Sequence, residues 1–190
     1  MLYWRKLKGA LLDAAPRGIV NFHPAPLPDY KGVGGYNLAI LNAHEEWACT
    51  AHYVDESIDT GEIIKLQRFP MDPQTETARS LEAKSQIALH ELFTTVFEML
   101  VKSTDRLPAF PNMGGQHLNR DQLEAMKRID IKKDDVARKA RAFWFPPNDG
   151  AFIEIGGQRF TLVDRSILES LADPSSSSLF TPSAMSTRAN

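Results

Sequence analysis

The chain has 190 residues, 43% hydrophobic and 24% charged, a balance that suits one globular domain with room for a small appended unit. A formal net charge of −2 and a pI near 6.2 exclude an overall basic field of the kind that grips nucleic acid by its phosphates. Cys49 is the only cysteine, which excludes an intramolecular disulfide or a cysteine-rich zinc site, and no apolar run approaches the roughly 18 residues of a membrane helix, so a cytoplasmic protein with no nucleic-acid or membrane partner is expected.

The opening, Leu2 to Leu7, leads into a helical-looking stretch from Lys8 to Ala15, and Asp13 and Pro16 break it before a signal-peptide core can form. Ile19, Val20 and Phe22 then predict a short buried strand. Side chains two apart on a strand share a face, so Asn21 and His23 project side by side at its end. Pro24, Pro26 and Pro28 lack ladder donors and restrict the residues before them, so the chain leaves the sheet in an extended turn that holds His23 at the rim. Gly32, Gly34 and Gly35 form a flexible corner, and Tyr36 to Leu41, stopped by Asn42, predicts a short helix. Cys49 to Val54 and Glu62 to Phe69 predict two strands, the first with Cys49 packed inside it, on either side of the loop Asp55 to Gly61. Such a loop is a natural place to display reactive groups.

From Thr77 to Lys102 no Gly or Pro interrupts a helical recurrence of Leu81, Ile87, Ala88, Phe93, Val96, Phe97 and Leu100, which predicts a long helix backing the sheet with this stripe in the core. Leu107 to Gly115, with its prolines and glycines, predicts a linker. Asp134 or Asp135 can cap a helix running to about Arg141. Ala151 to Ile155 and Phe160 to Val163 flank Gly156-Gly157 as a hairpin. The tail from Asp173, with its run of serines, predicts disorder. Lys127, Arg128, Lys132, Lys133, Arg138, Lys139 and Arg141 are interleaved with acids and form either a solvated helical face or a contact for a substrate diphosphate.

Asn21, His23 and Asp59 supply an amide, an imidazole and a carboxylate, the groups that acyl transfer to an amine requires. An amide donor can meet a developing oxyanion, a neutral imidazole can take the amine proton near neutral pH, and a carboxylate can orient that imidazole and stabilise it once protonated. No covalent intermediate and no metal is needed. Taken singly, each residue is ordinary: a strand-end histidine is commonly structural, and Asp59-Thr60-Gly61 alone is a common turn. An aspartic protease would need a second such tripeptide and β-rich lobes, and neither is present in the sequence. His44, His52, His90 and His117 show no partner pattern and are expected as satisfied or surface histidines.

Val20-Asn21-Phe22-His23-Pro24-Ala25-Pro26-Leu27-Pro28-Asp29-Tyr30-Lys31-Gly32, followed by Asp59-Thr60-Gly61, resembles the formyltransferases that use N10-formyltetrahydrofolate. Lys31-Gly32-Val33-Gly34-Gly35-Tyr36 and the later Arg141-Ala142-Phe143-Trp144-Phe145-Pro146-Pro147 with Gly150-Ala151 resemble the branch that acts on nucleotide-linked amino sugars. The resemblance runs from about residue 2 to residue 163. It implies an α/β fold: a partial Rossmann-like core over residues 1–104 with a long backing helix, a linker over 105–130, a small helix-plus-hairpin region over 131–170, and a disordered tail over 171–190. Members of the family resemble one another in opening with a βαβ region of a parallel sheet before the Asn-x-His strand. Here that strand arrives by residue 19, so an N-terminally truncated core is expected.

The activity implied is formyl transfer from N10-formyltetrahydrofolate to an amino sugar on a nucleotide carrier, for surface polysaccharide or O-antigen synthesis. Alternatives are a methionyl-tRNA formyltransferase-like enzyme or an inactive fragment that serves another subunit. By resemblance Asn21, His23 and Asp59 are catalytic, and the folate pterin is held largely by backbone at Arg5, Leu7, Asp55, Glu56, Ser57 and Ile58. Lys31 either meets the substrate's phosphate or closes its turn, Tyr36 and Trp144 can stack on a base or sugar, and core packing is the expectation for Trp144. A homodimer stays open.

Overall fold

The computed structural model describes Leu7 and residues 9 to 171; Arg5 and the tail from Asp173, for which folate contact and disorder were expected, lie outside the described residues. A short helix α1 (Ala10–Asp13) precedes strand β1 (Val20–His23), β2 (Tyr30–Gly32) and helix α2 (Gly35–Leu41). Strands β3 (Glu46–Tyr53) and β4 (Ile63–Pro70) follow, then the long helix α3 (Ala78–Lys102). The remainder is β5 (Gln116–Leu118), α4 (Arg120–Met126), α5 (Val136–Ala142), β6 (Phe152–Ile155), β7 (Gln158–Thr161) and α6 (Arg165–Leu171).

β3 organises the fold. It lies between β1 and β4 and pairs with both in antiparallel fashion. Among the described residues β1 pairs with β3 alone, and the only parallel strand pair is β2 with β5. β3 also begins at Glu46 rather than Cys49, because Trp47 is buried and donates from its indole N–H to Pro24 O at 3.0 Å, drawing the strand's start into the core. Every residue from Trp47 to Tyr53 is buried, the pattern of a strand covered on both faces. The two faces carry different residues. Cys49, Ala51 and Tyr53 pack with Ala88, Leu89, Leu92 and Val96 of α3, whereas Thr50 and His52 turn to the opposite side.

α3 has the expected bounds, and a capping box between Thr77 and Ser80 fixes its start. Its buried row is Leu81, Ser85, Ala88, Leu89, Leu92 and Val96. The predicted stripe needs correction: Ile87, Phe93 and Phe97 are exposed. At about 100° per residue Ile87 faces away from the buried row and Phe93 and Phe97 fall to its side, where Phe93 stacks on Phe97 and meets the edge of Phe22.

The linker expected over 105–130 is also corrected, since it contains β5 and α4. Phe110 exchanges two backbone hydrogen bonds with Ile63, and Asn119 and Gln122 form a capping box that starts α4. The C-terminal part forms its predicted hairpin on Gly156 and Gly157, both at positive φ as a tight two-residue turn demands, with Asp135 capping α5. It does not stand apart: Ala142, Phe143 and Ala151 share one core with Ala39, Ile40 and Trp47, and Asn37 Nδ2 donates to Ala142 O at 2.7 Å. Small alanines let α5 approach α2 closely. Trp144, expected in the core, is only half-buried beyond the end of α5; Trp47 is the large aromatic at the centre.

Candidate active site

β1 and β3 are registered so that Asn21 faces His52 and His23 faces Thr50. Directly opposed residues share a face, so these four side chains lie together on the side away from α3. The proline turn after β1 returns the chain as β2, whose Tyr30 carbonyl accepts from His23 Nε2 at 2.8 Å. Asp59 comes in from the loop between β3 and β4. Its Oδ2 lies 3.5 Å from His23 Nδ1 and accepts from the Gly32 backbone N–H at 3.0 Å, and its Oδ1 lies 3.5 Å from His52 Nε2.

Local chemistry gives that loop its shape. Asp55 Oδ1 accepts from Ser57 N at 2.9 Å and from the Thr60 hydroxyl at 2.6 Å, closing an Asx turn. Asp59 then takes a left-handed φ of 54°, a conformation in which Asp is enriched. Gly61 follows at a point of backbone crossing, where a Cβ would lie 1.8 Å from Tyr53 O. The path of the chain thus accounts for Asp-Thr-Gly at this point.

The hydrogen bonds fix the tautomers. Because Tyr30 O is an acceptor, the proton of neutral His23 sits on Nε2, and the Nδ1 lone pair faces the Asp59 carboxylate. His52 Nδ1 likewise donates to Tyr53 O at 2.7 Å, leaving Nε2 to accept from Asn21 Nδ2 at 3.1 Å. Burial lowers the pKa of His23, with the His52 ring acting in the same direction, and outweighs the opposing pull of Asp59 and the Tyr30 carbonyl. For Asp59 burial is the largest influence and pushes upward, yet His52, His23 and the Gly32 N–H together hold the carboxyl below its usual value. The resting pair is therefore a neutral imidazole and a carboxylate, two acceptors facing each other. It is one proton short, and a proton delivered to Nδ1 would satisfy both.

The structure brings Asn21, His23 and Asp59 together and adds His52, for which the sequence shows no partner pattern. Its signal was positional: Thr50 and His52 alternate on the strand that pairs with β1, on the parity opposite to the apolar Cys49 and Ala51. Of the residues expected at the folate, Leu7 is half-buried and Asp55, Glu56, Ser57 and Ile58 form an exposed loop beside Asp59. Lys31 is buried, with Nζ donating to Gly114 O at 2.7 Å, a tie to a distant segment rather than a bond within its own turn. Tyr36 is half-buried, and burial raises the pKa of its phenol. It lines a cavity of about 490 Å³ together with Asn37, Phe143 and Phe145. The basic stretch is neutralised locally: Lys127, Arg128, Lys133, Arg138 and Lys139 pair with Glu124, Glu154, Asp130, Asp135 and Asp134, but Lys127 and Arg141 are buried, so the stretch is not a uniformly solvated face. His44 bonds the Tyr30 hydroxyl, whereas His90 and His117 are exposed.

The formyl transferase family model matches residues 1–97. The chain belongs to the formyl transferase family. It is 32% identical over 173 residues to GDP-perosamine N-formyltransferase from Brucella melitensis, a match covering 90% of this chain and 65% of that relative. Among solved formyl transferases, a 4-N formyltransferase from Francisella tularensis superposes with a TM-score of 0.66 at 26% identity, over 75% of this chain and 60% of the other. The Helicobacter canadensis N-formyltransferase, solved with folinic acid and dTDP-3-aminofucose, gives a TM-score of 0.63 at 28% identity over 74% of this chain and 52% of its own. The fold is the Rossmann-like α/β formyl transferase fold, and the chain spans less than two thirds of these relatives' lengths. Among the described residues no cluster of three or more His, Cys, Asp and Glu side chains could hold a metal ion, and no helix is long and apolar enough to cross a membrane.

Proposed function

We propose that this formyl transferase moves a formyl group from N10-formyltetrahydrofolate to the amino group of a nucleotide-linked amino sugar, in the cytoplasm, for surface polysaccharide assembly. The observation that carries the reading is the lone pair of His23 Nδ1 facing the Asp59 carboxylate at 3.5 Å, beside the Asn21 amide. The amine nitrogen attacks the formyl carbon, and the carbonyl π pair becomes an oxyanion that the Asn21 amide can meet. A well-placed donor of this kind contributes about 3 kcal/mol to the transition state. The nitrogen's proton passes to His23 Nδ1, where Asp59 stabilises the imidazolium as Tyr30 O holds the other ring N–H. Collapse of the tetrahedral intermediate breaks the carbon–N10 bond, and the same proton returns to N10 as tetrahydrofolate leaves.

His52 serves in this scheme as the group that aims the Asn21 amide. The exposed Asp55–Ile58 loop offers backbone to the pterin, with Leu7 on the other side, and residues up to about 104 supply the catalytic part of the fold. The sugar-nucleotide reading is favoured over a tRNA substrate by the formal net charge of −2 and the locally paired basic stretch. The test is formyl transfer to GDP-perosamine and to dTDP-3-aminofucose, with methionyl-tRNA as the third acceptor. Turnover of a sugar nucleotide that His23→Ala abolishes supports the reading; turnover of methionyl-tRNA alone, or full activity in His23→Ala, overturns it.

A further inference from the structure

We propose that residues 110–118 form a strap that sets the separation of His23 and Asp59, with Asn112 as its positioning residue. This rests on the catalytic reading above and extends it to a segment that contains none of the reacting groups. Phe110 is tied to Ile63 at the start of β4 by two backbone hydrogen bonds of 2.9 Å. Asn112, buried two residues later, donates from one amide nitrogen to Asp59 O at 3.0 Å and to Gly61 O at 2.9 Å, bridging the two ends of Asp-Thr-Gly. The chain then crosses to the other half of the site. Gly114 O accepts from Lys31 Nζ at 2.7 Å, Gln116 N donates to Asp29 O at 3.0 Å, and β5 runs parallel to β2.

The two ends of the segment meet on one imidazole. His23 Nε2 is held by the carbonyl of Tyr30, a residue of β2 paired to Gln116 of β5, and His23 Nδ1 faces Asp59, whose own carbonyl is held by Asn112. One short segment therefore fixes the partners of both ring nitrogens. Asp59 needs such a fastening, because its left-handed φ of 54° is not a conformation that a free loop would hold strongly. The Asn112 Oδ1 is buried without a hydrogen-bond partner, so the side chain is kept at this position by its donor end.

The test compares Asn112→Leu, which has similar bulk and no donor, with the pair Asn112→Gln and Asn112→Glu, which share a shape and differ in the amide donor. Asn112→Leu and Asn112→Glu should lower kcat for formyl transfer by about a hundredfold, the cost of an ångström-scale misplacement, with KM for the amino-sugar nucleotide unchanged and Asn112→Gln recovering part of the loss. A second readout needs no substrate: the His23 ring, with Asp59 and His52 as its titratable neighbours, is titrated by NMR in each folded variant, and its midpoint should fall in the Leu form as Asp59 swings away. Wild-type kcat in Asn112→Leu, an unmoved His23 midpoint, or equal behaviour of the Gln and Glu variants overturns the strap. A wild-type protein that formylates none of the acceptors overturns the catalytic reading instead, and the NMR titration still decides the strap.

Discussion

Replacing Asp59 by Asn leaves a side chain of nearly the same shape in a site where the native carboxylate is largely buried, and removes only its charge. The Asp59 oxygen stands 3.5 Å from the ring nitrogen of His23 that becomes charged in the proposed transfer. At an effective dielectric of about 20, a pair at this separation interacts by roughly 4–5 kcal/mol, which the uncharged amide forfeits. Each 1.4 kcal/mol, roughly, is a factor of ten in rate, so kcat should fall by about a thousandfold. The pH profile supplies a second mark. On the proposed mechanism activity should rise with pH as His23 loses its proton, and because Asp59 raises the pKa of that ring, its loss should move this rise to lower pH. The assay is steady-state formyl transfer to an amino-sugar nucleotide from about pH 5 to 9, with thermal melting as a control for folding. A loss of less than tenfold with an unmoved acid limb would refute the electrostatic role and leave Asp59 as a turn residue only.

Acidification should destabilise the fold in two steps, because both depressed groups favour protonation in the unfolded chain: the stability His23 contributes is intact above 6.5 and is lost as pH falls through its lower folded pKa, and that of Asp59 is intact above 3.8 and lost below it. Melting temperature against pH should show the upper step in the native protein and not in His23→Gln. Leu81→Ala, at a fully buried position of α3, should cost about 2–5 kcal/mol in urea unfolding without changing the pH profile. Cys49 is wholly buried with its thiol pushed up to about 12, so a thiol reagent should label it only on unfolding, and rapid labelling of the native protein would contradict the packing of β3 against α3.

Much of this was legible in the sequence because local rules act there without competition. Proline and glycine punctuate the turn after His23, the Thr77 cap and an unbroken helical period define α3, and Gly156-Gly157 imposes its hairpin. Asn21 and His23 on one face of a strand, with Asp59 in a loop, were likewise readable from parity and composition. What escaped depends on partners distant in the chain. His52 acquires meaning only through its register opposite Asn21, and Asn112 only through a fold that returns residues 110–118 to the Asp59 loop. The exposure of Ile87, Phe93 and Phe97 was hidden for a related reason: a helical period identifies a helix, but the sheet beneath it decides which row is covered.

Along β3 from Cys49 to Tyr53, odd-numbered residues pack against the long helix, whereas on the other side Thr50 holds the proline turn and His52 reaches the Asn21 amide. The strand is therefore a partition, with packing and chemistry on opposite sides of a single layer of backbone. Substitutions at Cys49 or Ala51 can drift with the helix they touch while Thr50 and His52 answer only to the site. Length is a different matter. Inserting or deleting one residue between Trp47 and His52 would exchange the two sides at once, placing a methyl or thiol among the polar groups and an imidazole in the oily layer. A lineage built on this strand can change its core and its substrate by independent routes, provided that it never changes the count of residues between them.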